Sequence, residues 1–335
     1  RLSLQADFSL NGTTIAESNI PFTIGPVFET DPVSPDDYGY WAYDNFDTEY
    51  DEAPVYNWVE LNPADGGSGT LLPLDDDSHY LVQLPFEFTY YGQTYTEITI
   101  GSNGWLSLLP CSIDYFWNFS IPMYMGPPGM IAPFMDDLDD NNGNEPFNIF
   151  SWYDVDNHRF IVQWDNVSNG DDDEFCPTIG CVKETFEVIL LDPLTYPTQT
   201  NDGEIIFQYQ EIYDIDANGN YSTIGIEAPD QLDGVQYLFN GSPSPGAWWE
   251  VDSENMLTEN LAIKFTTNSP SEAPCSATGD VTFDGATDIL DIVRVVSIIM
   301  GNIIPTPEEL SEADVTCDGA VDILDIVLLV SMIIG

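Results

Sequence analysis

Residues Leu84–Leu108 read LPFEFTYYGQTYTEITIGSNGWLSL. Phe86, Phe88 and Tyr90 alternate with Glu87 and Thr89, the period of two that places one set of side chains on one face of a strand. Asn103-Gly104 then gives the short-range signal of a tight turn. The same grammar runs outward from this stretch. HRFIVQWDNV (His158–Val167) alternates Phe160, Val162 and Trp164. TFEVILLD, EIIFQYQ, STIGIEA, VQYLF and LAIKFTT follow as short β-branched or aromatic runs separated by Asn, Asp, Gly and Pro. No helical periodicity of useful length lies between them, so residues 26–267 are expected to form an antiparallel β-sandwich or jelly roll.

The chain has 335 residues, enough for about two domains. Lys and Arg number 5 against 58 Asp and Glu, a net charge of −53, and no basic cluster exists to meet a phosphate backbone. Nucleic acid is therefore excluded as a partner. So much negative charge repels itself unless salt or bound cations neutralise it, although solubility alone also accounts for it. An extracellular or cell-surface setting is the expectation. A chain beginning at Arg1 with no secretory signal reads as a mature product whose leader has been removed. Five cysteines fit such a setting: Cys176 with Cys181 in CPTIGC, and Cys275 with Cys317, are plausible bridges, and Cys111 is left over. Asn11, Asn118, Asn166, Asn220 and Asn240 lie in N-x-S/T sequons and are candidate glycan acceptors.

Within the β region, FEFTYYGQTYTEITIGSNGWLSL followed by IAPFMDDLDD resembles the nidogen-type extracellular β domain and related modules of secreted bacterial peptidases. The YG-x-x-Y hairpin, the SNG turn and the IAPF-x-D-D segment carry the likeness, with Met135 where the family usually has Trp. The resemblance spans roughly Tyr38 to Thr267 and implies a surface-facing module without catalysis. The aromatic runs YGYWAYDNF and GAWWE serve either as core or as flat rings for a sugar.

Residues 1–25 stand apart. Leu2, Leu4, Ala6, Phe8 and Leu10 share one face of a strand, and TTIAESNIPFTIG reads as a second strand. This pair joins the sandwich as an edge, or Leu2, Leu4 and Phe8 complete a neighbouring subunit's sheet by strand addition.

After a Pro/Ser/Thr-rich linker at 268–279, the sequence writes GDVTFDGATDILDIV and later ADVTCDGAVDILDIV. A calcium loop draws oxygen from positions one, three, five, seven (through a carbonyl), nine and twelve, with Gly at six. Asp280, Thr282, Asp284, Ala286, Asp288 and Asp291 fill those places around Gly285. Asp314, Thr316, Asp318, Ala320, Asp322 and Asp325 do so around Gly319, at a constant offset of 34 residues (Asp280 to Asp314). Each copy runs into an aliphatic helix. Residues 280–335 thus resemble a dockerin, the paired calcium-loop module that binds cohesin domains, and the resemblance implies two Ca2+ ions. Asp at position twelve replaces the Glu of an ordinary EF-hand, as is common in dockerins. Positions ten and eleven, which usually contact cohesin, are Ile289, Leu290, Ile323 and Leu324. The following runs VRVVSIIMG and VLLVSMIIG are apolar on nearly all sides, so both helices are expected to be buried against the sandwich or against another subunit. Neither approaches the ~20 apolar residues that a bilayer crossing needs.

Weaker metal signals are Asp214, Asp216, Asn218 and Gly219, where position twelve is Gly225, and the acidic stretch containing Asp136, Asp137, Asp139 and Asp140. A hairpin turn and a solvated loop are the preferred readings of these two. His79 and His158 are the only histidines, and no Gly-x-Ser-x-Gly or His-Glu-x-x-His motif is present, so no enzyme is expected. Two functional readings follow. In the favoured one, the chain is a structural protein that polymerises head to tail with copies of itself into a calcium-stabilised, glycosylated surface filament. In the alternative it is a non-catalytic docking or binding module of a secreted enzyme system, recruiting a cohesin partner or binding glycan.

Overall fold

The structure is a computed structural model describing residues 2–10, 13–22, 27–113, 117–140, 147–170, 183–212, 222–248, 257–270, 278–303, 305–315, 321 and 323–334, with backbone alone before residue 27. The chain divides into two compact units, Val27–Pro270 and a second made of Arg1–Pro26 with Ser271–Gly335.

The described strands in chain order are β1 (Leu2–Leu10), β2 (Thr13–Phe22), β3 (Trp41–Asp44), β4 (Thr70–Leu71), β5 (His79–Tyr90), β6 (Gln93–Gly101), β7 (Trp105–Ser107), β8 (Met130–Met135) and β9 (Leu138–Asp139). They continue with β10 (Asn148–Asp154), β11 (Arg159–Asn169), β12 (Lys183–Leu191), β13 (Ile205–Glu211), β14 (Thr223–Glu227), β15 (Gly234–Phe239), β16 (Ser242–Pro243) and β17 (Ala262–Thr266). One sandwich sheet has the order β3-β17-β13-β12-β11-β10-β4, with β9 alongside β11; the other has the order β16-β15-β14-β8-β7-β6-β5. Every pairing is antiparallel, as the alternating pattern requires.

The core lies between the sheets. Phe88 and Tyr90 of β5 enter it with Phe86 packed at its margin, and Phe160, Val162 and Trp164 of β11 enter from the facing sheet. Ile161 points the other way into a second cluster with Leu61, Phe150 and Ile189. A single-residue slip would exchange these two sets, which fixes the register. Trp164 stacks on Phe186 at 5.0 Å and donates its indole N–H to the Ser102 carbonyl (3.0 Å). The rings of YGYWAYDNF divide accordingly: Tyr40 and Tyr43 are fully buried and Phe46 stacks on Trp248 at 3.9 Å, so they are core rather than a displayed platform.

The motifs that recur in sequence meet in space. Gly104 of the SNG turn has φ +70 and lies so close to the Phe134 carbonyl that a Cβ would sit 1.6 Å from that oxygen. Phe134 belongs to the IAPFM strand and donates its backbone N–H to Gly104 (3.3 Å). Met135 fills a buried cluster with Trp105, Ile121, Met130 and Ala132.

An extended segment crosses the outer face of the first sheet. The N–H groups of Asn57, Val59 and Leu61 donate to Gln208 (2.5 Å), Glu187 (3.2 Å) and Gln163 (2.7 Å). Those three acceptors are cross-strand neighbours on β13, β12 and β11. The strap therefore runs across the strands, using every second residue. Burial pushes the Glu187 carboxyl up to about 8 despite the hydrogen bonds from Gln208 and Val59, so it is protonated at neutral pH.

β1 and β2 form a two-stranded sheet of their own, from Leu2 opposite Phe22 to Leu10 opposite Thr13.

Candidate functional site

The candidate site is the carboxy-terminal module. Its helices are α1 (Ile289–Ile299), α2 (Pro307–Ala313) and α3 (Ile323–Ile334). A small core of Val281, Val295, Ala313, Val315 and Leu329 joins them, and Val281/Val315 and Val295/Leu329 are repeat-related pairs. Gly279 sits opposite Ala313 in that correspondence. Its φ is +75, and a Cβ would meet Leu329 of α3 at 2.3 Å, so the first loop begins wedged against the helix of the second copy.

In the first loop the N–H groups of Asp284 and Gly285 donate to the two oxygens of Asp280 (3.0 and 2.8 Å). Ala286 donates its N–H to Asp284 (3.0 Å), and Asp288 caps α1 by accepting from Leu290 (2.7 Å). Asp291, fully buried, closes the loop: one oxygen accepts from the N–H and hydroxyl of Thr282 (2.9 and 3.0 Å), the other from the N–H of Asp288 (2.8 Å). Burial alone would raise its pKa, but the donors from Asp288, Thr282 and Val281 outweigh burial and hold it below the ordinary carboxylate value. The loop turns at Phe283 (φ +56) and Gly285 (φ +89). Thus positions one, three, five, nine and twelve are placed in one turn by the loop's own backbone.

Among the described residues no three acidic, His or Cys groups converge tightly enough to hold a metal ion. The donors of the first loop are nonetheless all oxygen, the chemistry that suits a hard divalent cation. In the second copy Asp325 is buried like Asp291, and Asp314 ends α2; Thr316, Asp318, Ala320 and Asp322 lie outside the described residues.

The helices are not buried all round. Ile289, Leu290, Val293 and Met300 of the first copy are exposed, as are Ile323 and Val327 of the second. The module's own core is small and takes one face of each helix and no more. The side chain of Leu324 lies outside the described residues.

Two features were missed in the sequence. Helix α2 begins at Thr306, whose side chain accepts from the N–H of Glu309 (3.2 Å) while Glu309 accepts from the N–H of Thr306 (2.9 Å). Thr306, Pro307 and Glu309 are the signature of a capping box and were legible. Arg294 of α1 then donates its Nε to Glu309 (2.9 Å), and the Thr306 N–H and Arg294 together hold that carboxyl below its ordinary pKa. Thr278, at the entrance of the first loop, donates through its N–H and hydroxyl to Glu312 of α2 (both 2.8 Å).

A family model described as NIDO related matches residues 55–269. The chain belongs to the NIDO-related family. A second model, the Dockerin type I domain, matches residues 278–334, which covers both calcium loops and all three helices. No curated protein and no solved structure matches the chain. Dockerin domains are non-catalytic modules that bind calcium and dock cohesin partners, and they occur in secreted proteins. In this NIDO-related chain no helix among the described residues is long and apolar enough to cross a membrane.

Asn166 and Asn240 are exposed with φ +55 and +48, and Asn118 is half-buried. Asn11, Asn220, Cys176, Cys181, Cys275 and Cys317 lie outside the described residues, as do Asp214, Asp216, Asn218 and Gly219. Cys111 is half-buried, packed against the cluster that holds Trp105 and Met135, and accepts the Ile113 N–H at 3.4 Å. Asp136 is buried and accepts from Asn169 (3.0 Å). The side chains of Leu2, Leu4 and Phe8 are outside the description.

Proposed function

We propose that the chain is a non-catalytic component of a secreted assembly, held through its dockerin domain on a cohesin carried by another protein, with the NIDO-related sandwich as the displayed part. The observation that carries this reading is the set of large apolar side chains left in water on α1 and α3, in a chain whose net charge is −53. Such groups on so acidic a molecule favour an interaction surface over a solvated face. Two Ca2+ ions complete the reading. Asp280, Thr282, Asp284, Asp288, Asp291 and the Ala286 carbonyl would hold the first, and Asp314, Thr316, Asp318, Asp322, Asp325 and the Ala320 carbonyl the second. Bound calcium supplies the positive charge that lets these carboxylates share one loop.

Calorimetric titration of the full chain against type I cohesin domains, in calcium and then in excess chelator, tests the proposal. Saturable binding in calcium that vanishes in chelator is expected. No binding to any of them would sink it. The filament reading is not retained, because the dockerin match favours docking to another protein and a net charge of −53 opposes self-contact. Glycans on Asn166 and Asn240, and bridges Cys176–Cys181 and Cys275–Cys317, belong to the same secreted setting. Intact mass before and after deglycosylation and reduction checks both.

A further inference from the structure

Tyr38 of the sandwich is fixed more firmly than an exposed ring requires. It keeps 38 % of its surface in water, yet its N–H donates to Asp233 (2.9 Å) and its hydroxyl to Asp202 (2.8 Å). Asp202 also accepts the Gly92 N–H (2.8 Å), and Gly92, at φ +69, stands so near that a Cβ there would lie 3.1 Å from the Tyr38 hydroxyl oxygen. Tyr91 meets Tyr38 with ring centroids 5.0 Å apart and planes tilted by 49°, so the two rings make a corner rather than a flat platform. Tyr91 donates its own hydroxyl to Asp36. The two rings wall a pocket of about 180 Å3 that is completed by Pro229 and by the side chains of Gln93, Asp230 and Asp233. It lies where the β5–β6 turn meets the β14–β15 turn, and the Tyr90 hydroxyl ties the two together by donating to the Glu227 carbonyl (2.9 Å).

The chemistry of this corner selects its occupant. Both phenols give their O–H to a carboxylate, which leaves their ring faces richer in electrons and better able to hold a cation. Burial, above all, holds both phenols above their ordinary pKa, so both hydroxyls remain donors to those carboxylates. Asp230 and Asp233 add two negative charges with acceptor capacity to spare. One oxygen of Asp233 takes the N–H groups of Asp37 and Gly234 and the other that of Tyr38, while Asp230 takes the Leu232 N–H on one oxygen only. None of the six lining side chains is basic. A sugar would need donors as well as acceptors, and the pocket is smaller than the ~300 Å3 at which ordinary small-molecule sites begin. It suits the end of one alkyl chain that carries positive charge and N–H donors.

We infer that this corner binds a primary alkylammonium group, with the faces of Tyr38 and Tyr91 against its charge and Asp230 and Asp233 accepting its N–H donors. A free amine and a lysine side chain of a polypeptide present the same group. The inference stands on the sandwich alone and does not depend on the dockerin.

The test is saturation-transfer difference NMR on the full chain at about 0.15 M salt, where diffuse attraction is screened. The probe n-butylammonium should bind saturably with a Kd on the order of 1 mM, the range open to so few atoms. n-Butanol, the same chain without charge, should bind at least about tenfold more weakly. Asp230→Asn keeps the shape of an exposed residue, and Tyr38→Leu removes a ring; each should weaken the probe at least about threefold, and Tyr38→Phe should weaken it less than Tyr38→Leu. Asp156→Asn removes an exposed charge from the β10–β11 turn of the other sheet and should change the affinity less than about 1.5-fold. Absence of binding, equal binding of n-butanol, or equal losses from Asp156→Asn and Asp230→Asn would overturn the inference. Displacement of the probe by glucose at equal concentration would replace the ammonium by a sugar and overturn it as well. Tighter binding of Nα-acetyl-lysine methylamide than of n-butylammonium would support the inference with a polypeptide as the source, and weaker binding would support it with a free amine.

Discussion

Glu187 shows how one side chain ties stability to pH. Its carboxyl accepts the Val59 N–H while its other oxygen is buried with no hydrogen-bond partner, and burial raises its pKa from the ordinary 4.5 to about 8. The folded chain therefore holds a proton that the unfolded chain releases near pH 4.5, and stability must fall as pH rises from there through about 8. Glu227, raised to about 7, and Asp36, raised to about 6, act in the same direction. Denaturant melts at pH 5 and pH 9 should differ by on the order of a few kcal/mol, and Glu187→Gln should remove much of that difference. A flat profile for the unaltered chain would contradict a buried, protonated Glu187. Gly104 makes a second prediction of this kind. Gly104→Ala forces a Cβ onto the Phe134 carbonyl and should cost roughly 3 kcal/mol or more, read as a lowered midpoint of sandwich unfolding. The need for glycine at a turn was visible in SNG. What the turn pressed against was not, because Phe134 lies thirty residues downstream.

Elements were legible where a short-range period controls them. Phe160, Val162 and Trp164 alternate because β11 has core on one side, and the structure places all three there. The strap through Asn57, Val59 and Leu61 was invisible for the opposite reason. Its backbone is held by side chains from three different strands, and no local pattern announces that. The dockerin module was legible because its motif is written twice at one spacing, whereas which face of α1 and α3 the module's own core receives was not, because composition says how apolar a helix is but not where it packs. Helix α2 yields a direct test. Thr306→Ala removes one half of a reciprocal cap and should lower the module's stability by about 1 kcal/mol, measured as a shift of its calcium-dependent melt. No shift would mean that Arg294 and Glu309 hold the helix without its cap.

At the scale of the whole molecule the two units should melt as separate events, and calcium should move one of them. Asp280→Ala combined with Asp314→Ala is expected to abolish the calcium-dependent transition in calorimetry and to leave the sandwich transition in place. The seat of Gly279 against Leu329 has a consequence for how the dockerin answers calcium. One repeat forms a wall of the other, so calcium is expected to steady both repeats together, read as a single module transition in calorimetry.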